Sequence, residues 1–227
     1  MKLVFGNFES QLEIKKGKIN LICSESPLVF SRMVYSAMEG FSEECQEVVL
    51  LVDEGKQASK DSFFFVGDLC MLDLSDKRIL SQAIKKVVNL VSQDENIKNE
   101  LERRNNTIHE LLYDTLFQLH GDYAFLLDWD LIKYIKSSGF GIEQPPDETL
   151  FDKLIRFVNI SIDLFPNTIL CFVNIKNYLT YAQYVLFYEL IVAGSQQVLL
   201  YEYGSPNETV DFENYLFIDS DYIETSN

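Results

Sequence analysis

Two helical patterns stand back to back between residues 75 and 119, and on either side of them strand-like apolar runs alternate with shorter helices. That arrangement requires an α/β domain interrupted by a helical segment. In the first pattern, steps of 100° from Lys77 gather Ile79, Leu80, Ala83, Ile84, Val87, Val88, Leu90 and Val91 on one side. The opposite side carries Arg78, Ser81, Gln82, Lys85, Lys86, Asn89 and Ser92, with no acid among them. Acids outnumber bases 35 to 19 in the whole chain, so an acid-free basic face is out of keeping with its surroundings. Ser75 is expected to cap this helix, with Asp76 at its positive end. Ser92 followed by Glu95 has the form of a capping box, which predicts a second helix from there to about Leu119. Its expected apolar stripe is Ile97, Leu101, Ile108, Leu112, Thr115 and Leu119.

Before the helical pair, residues 2–5 and 11–14 alternate like short strands, and Lys15, Lys16, Gly17 and Lys18 form a turn into a strand over 19–23. Ser26 and Pro27 open a helix that runs through Met38 and stops at Gly40. The apolar runs at 48–52 and 63–66 read as strands, the first with the composition of one buried on both faces. After the pair, a short helix is expected over 126–136, ending before Gly139. Pro145, Pro146 and Asp147 should open a further helix to about Leu164. Strand 168–173, helix 181–192, strand 197–203 and an edge strand over 215–218 follow, and the tail beyond Tyr222 should fray. Strands alternating with helices predict a largely parallel sheet. The expected division is an α/β domain of residues 1–68 and 139–227, with 69–138 inserted as a helical segment.

With 227 residues, 47% of them hydrophobic, the chain can bury one substantial core. No signal-peptide pattern precedes it and no run of about 20 apolar residues crosses a membrane, so a soluble, cytoplasmic protein is expected. Cys23, Cys45, Cys70 and Cys171 lie far apart with no paired spacing, which points to buried, inert thiols. A net charge of −16 means that any contact with nucleic acid must be local.

Catalysis finds little support. The first strand-to-helix connection, Cys23, Ser24, Glu25, Ser26 and Pro27, has neither the glycines nor the lysine of a phosphate-cradling loop, and Glu25 repels phosphate. The strand leading to Asp53 and Glu54 resembles the acidic strand end that holds Mg²⁺ in nucleotide hydrolases, but it lacks its partner loop. No nucleotide cofactor and no enzymatic activity are expected. Asp122, Asp128 and Asp130, around Trp129, could supply oxygens to a hard cation, or Asp128 could cap the helix that follows. The face of Arg78, Lys85 and Lys86 is either a solvated helix side or a site for a polyanion.

Phe65, Val66, Gly67, Asp68 and Leu69 are followed by Leu72, Asp73, Leu74 and Ser75 before the helix at Ile79, and later come Leu131, Ile132 and Lys133 up to Gly139, Asp147 through Lys153, Leu170 through Asn174, Tyr178 to Thr180 and the stretch 215–218. In order and spacing these stretches resemble the small spacer-acquisition protein of type II-A CRISPR-Cas systems. The first of them looks like that family's junction between head and helical leg. The resemblance implies a head related to P-loop nucleotide hydrolases without their phosphate loop, and a ring-shaped homotetramer holding double-stranded DNA, usually by its ends, in a basic central hole. It implies calcium binding, here through Asp122, Asp128 and Asp130, and DNA contact through Arg78, Lys85 and Lys86. Integrase proteins and the RNA-guided effector nuclease are the implied partners, with no catalysis by the protein itself. The two alternatives are a degenerate nucleotide-binding ATPase-like protein and a protein-interaction scaffold without DNA contact. Where the family is dense in Glu and Asp, this chain has Gly121, Tyr123, Phe125 and Leu127.

Overall fold

A computed structural model describes residues 1–6, 8–41, 48–51, 59–125, 129–206 and 210–226. In chain order its elements are β1 (Lys2–Phe5), β2 (Gln11–Glu13), β3 (Ile19–Ser24), α1 (Pro27–Met38), β4 (Val48–Leu51) and β5 (Phe63–Asp68). Three helices follow, α2 (Lys77–Gln93), α3 (Glu95–Leu116) and α4 (Leu131–Ser137). The chain then continues with α5 (Leu150–Leu164), β6 (Ile169–Val173), α6 (Tyr181–Ala193), β7 (Gln197–Tyr203), β8 (Glu213–Ile218) and β9 (Glu224–Ser226). These fall into two compact units, Met1–Asp73 with Pro145–Asn227, and Leu74–Gln144. The boundaries lie five or six residues beyond those read from sequence at both junctions.

The first unit is a mixed α/β structure around a six-stranded sheet of order β5-β6-β7-β3-β8-β9, parallel throughout except for β9. Every residue of β3 and of β6 is buried, as apolar runs covered on both faces should be. On one face, Ile22, Val173, Leu199, Tyr201 and Leu216 pack with Val29, Met33 and Ala37 of α1 and with Leu3, Phe5 and Leu12 of the short strands. On the other, α5 and α6 join the sheet through successive ring contacts from Phe64 to Phe157, Phe172 and Phe187, 5.7, 6.1 and 5.9 Å between centroids.

Several sequence expectations need correction. The run at 48–52 is not a strand of the parallel sheet. β4 pairs antiparallel with β1, in a separate three-stranded sheet of order β2-β1-β4. β8 is interior, because β9 adds outside it, where a frayed tail was expected; the Glu224 carboxylate accepts from the backbone N–H groups of Glu9 and Ser10 at 3.0 and 2.7 Å and anchors this edge. α5 opens at Leu150 rather than at the prolines. Thr149 and Asp152 form its capping box, so a stronger cap overrides proline's preference for the first turn.

In the second unit, α2 packs on both α3 and α4. Asp76, not Ser75, caps α2, its carboxylate accepting from Arg78 N at 2.7 Å. Ser92 stays inside α2, where its hydroxyl donates to Val88 O at 2.8 Å. The cap of α3 is Asp94, which accepts from Asn96 N and Ile97 N. A carboxylate outcompetes a hydroxyl for the positive end of a helix.

Candidate nucleic-acid interface

α2 divides as its periodicity predicts. Ile79 and Ile84 are buried, and the opposite side is polar. Lys85 and Lys86 are exposed and make no ion pair with the described residues. Arg78, the third basic residue expected at this site, is half-buried and has a partner of its own. The two lysines therefore form the open part of the face, and Arg78 stands closer to the helix packing.

α3 treats its bases differently. Lys98 lies 3.9 Å from Glu95, and the Glu100 carboxylate takes Arg103 at 2.8 Å and Arg104 at 2.7 Å. Hydrogen bonds from Arg103 and then Arg104 hold the Glu100 carboxyl down to about 2, so it stays ionised beside both arginines over the whole physiological range. Their combined field is +1 where the sequence shows two arginines.

The acids proposed for a metal are dispersed in role. Asp130 caps α4, accepting from Lys133 N at 3.0 Å, and its carboxylate lies 3.7 Å from the Lys133 ammonium. The backbone hydrogen bond from Lys133 is the leading cause of its lowered pKa. α4 therefore begins at Leu131, later than expected, and its cap is Asp130. Asp122 is exposed, and Asp128 lies outside the described residues. Calcium takes six to eight oxygens. Among the described residues no group of three or more His, Cys, Asp or Glu side chains is placed to hold a metal ion, so Asp122 and Asp130 alone do not fit one.

In the first unit, the connection after β3 is occupied by structural bonds. Ser26 caps α1, and Glu25 N donates to Ile218 O at 3.1 Å. Asp53 and Glu54 lie outside the described residues. Between the sheet and α6 sits a buried polar group: the Lys176 ammonium pairs with Glu213, which also accepts from the Tyr184 hydroxyl at 2.6 Å. Glu202 accepts from Lys176 N at 3.0 Å, and burial pushes its carboxyl up to about 7. Burial likewise pushes the Cys23 thiol up to about 12, so at neutral pH it is not a thiolate nucleophile. Cys171 is buried too, but Cys70 is exposed, against the expectation of buried thiols, and Cys45 lies outside the described residues. No helix among the described residues is long and apolar enough to cross a membrane.

Residues 41–222 match the family described as CRISPR-associated protein (Cas_Csn2). The chain belongs to the Csn2 family. A curated member, the CRISPR-associated protein Csn2 of Streptococcus agalactiae, is 26% identical over 220 residues, covering 90% of this chain and 96% of the relative. The crystal structure of Stu0660 of Streptococcus thermophilus aligns with all of this chain and 76% of its own at a TM-score of 0.57 and 14% identity, a likeness of fold. Within this Csn2-family chain, sequence reasoning missed the caps Asp76 and Asp94 and a buried asparagine on α3, Asn105. A polar residue inside an apolar stripe was the one available signal for Asn105.

Proposed function

We propose that the protein is a non-catalytic double-stranded DNA binder acting in CRISPR spacer acquisition, as a homotetrameric ring that holds DNA by its ends alongside the integrase proteins and the effector nuclease. The observation that supports this reading is the pair Lys85 and Lys86, exposed on α2 without an acid partner among the described residues. Four copies of the pair around one axis would create a positive potential inside a particle whose outer walls are acidic. Duplex would then enter by threading an end, held through phosphates and without base-sequence preference. Exposed apolar side chains along α3, among them Ile97, Ile108, Leu111 and Leu112, offer surface for assembly.

The test is binding of linear against closed-circular duplex, with native mass measured on the same sample. Linear duplex should bind a tetramer and closed circles should not. A monomer at all salt concentrations, or equal binding of both forms, overturns the ring. Nucleotide binding by ATP titration and a scaffold without DNA contact are the readings left if linear duplex fails to bind. Calcium through Asp122, Asp128 and Asp130 stands as a separate proposal, and no part of the DNA reading runs through it. A ligand of the native state raises stability by mass action, so chelation should lower the melting temperature if the ion is held, and unchanged melting rejects it.

A further inference from the structure

α3 is accessible along most of its length, and the single buried residue among its 22 is Asn105. Asn105 is 8% exposed. It occupies the gap in the apolar stripe between Leu101 and Ile108, where a leucine would suit the helix better.

The same residue lines a cleft of about 410 Å³ inside the second unit, together with Glu102, Asn106 and His109 from the following and preceding turns of α3. Its walls are aromatic. The His109 ring lies parallel to Phe125 at 4.8 Å and 4°, and Tyr113 meets Phe125 edge-on at 5.0 Å while its hydroxyl oxygen accepts from Phe125 N at 3.3 Å. Trp129 completes the lining, its own ring braced 5.2 Å from Tyr134. Among the described residues neither lysine nor arginine lines the cleft, which disfavours a phosphate, and His109 and Glu102 there are too few to make a metal site.

His109 and Phe125 stack on each other, so a base is left the ring faces outside that pair, and such flat faces stack any base. A carboxamide offers a donor and an acceptor matched to the N6 and N7 edge of adenine, and a carboxylate accepts from an exocyclic amino group. We propose that this cleft takes one unstacked nucleobase, adenine ahead of the others, with Asn105 and Glu102 reading its amino-bearing edge. The volume lies within the usual range for small-molecule sites. The base comes either from a frayed or overhanging end of the held duplex or from a free nucleoside. Only the first source rests on the DNA reading.

Trp129 is the one tryptophan of the chain, so its fluorescence reports on the cleft directly. Adenosine titrated into the intact protein should give a saturable change, with thymidine about tenfold weaker because it lacks an amino group. Asn105→Leu keeps the size and loses the carboxamide. It should weaken adenosine about tenfold or more while raising the melting temperature, a pairing that a merely structural asparagine would not produce. Should that variant fail to fold, His109→Ala should show the same loss by removing a wall. Preference for duplex with a 3′ adenine overhang over blunt duplex assigns the base to a DNA end; no such preference, with adenosine still bound, assigns it to a free nucleoside. Lys85→Glu with Lys86→Glu should remove duplex binding and leave the adenosine response intact, which separates failure of the DNA reading from failure of this site. No saturable response to any nucleoside in protein that binds duplex normally, or undiminished adenosine affinity in Asn105→Leu, overturns the proposal.

Discussion

On α3 every basic side chain stands beside an acid one turn away, whereas on α2 the pair Lys85 and Lys86 stands clear of any acid among the described residues. Glu95 meets Lys98 and Glu100 meets both Arg103 and Arg104. A count of lysines and arginines, four on α2 and three on α3, would hardly separate the two helices. Spacing separates them, because an acid three or four residues before a base lies within reach on the same helix face and cancels its field before any polyanion arrives. An interface is read from where acids are missing as much as from where bases stand.

The comparison breaks most clearly by charge reversal. Lys85→Glu with Lys86→Glu should lower linear-duplex affinity by at least about a hundredfold and flatten its salt dependence, whereas Arg103→Glu with Arg104→Glu should do much less. Both can be measured by fluorescence anisotropy over a salt series, and equal losses would remove α2 from its special place.

A change in the first unit should leave that contrast untouched while altering stability. Burial raises the Glu202 carboxyl from its ordinary 4.5 to about 7, so between those values the folded chain keeps a proton that the unfolded chain has released. Stability from this group is therefore highest below about pH 4.5, falls as pH rises to about 7 and is level above. Glu202→Gln keeps the carbonyl that accepts from Lys176 N but has no proton to lose. It should exceed the parent by up to about 3 kcal/mol at pH 8, with the gap closing towards pH 5, by denaturant melts at both values. A gap independent of pH would mean that the buried carboxyl titrates normally.

Within the second unit, Asp94→Ala removes the carboxylate that accepts from Asn96 N and Ile97 N and should cost about 1 kcal/mol, read as a lower urea midpoint at unchanged slope. The smallest effect sharpens the opening comparison. Glu100→Gln releases Arg103 and Arg104 and should raise non-specific duplex affinity severalfold at low salt, making α3 behave more like α2. No rise at low salt would show that these arginines face away from bound DNA.

Much of this was legible in the chain. The apolar runs of β3 and β6, the 3.6-residue repeat of α2, the missing phosphate loop after β3 and the acid-free face of Lys85 and Lys86 are local properties, set by neighbours within a turn or a strand. Helix starts were less legible where two caps competed, since Ser92 and Asp94 both satisfy the pattern and only the charge of the second prevails. Tertiary structure alone decided the rest: that β4 joins β1 in its own antiparallel sheet, that β9 covers the outer edge of β8, and that Asn105 is buried while Ile108 and Leu111 beside it are exposed. Strand pairing and burial depend on which distant segments arrive at a residue, and a periodic pattern carries the face a side chain takes but not what will stand against that face.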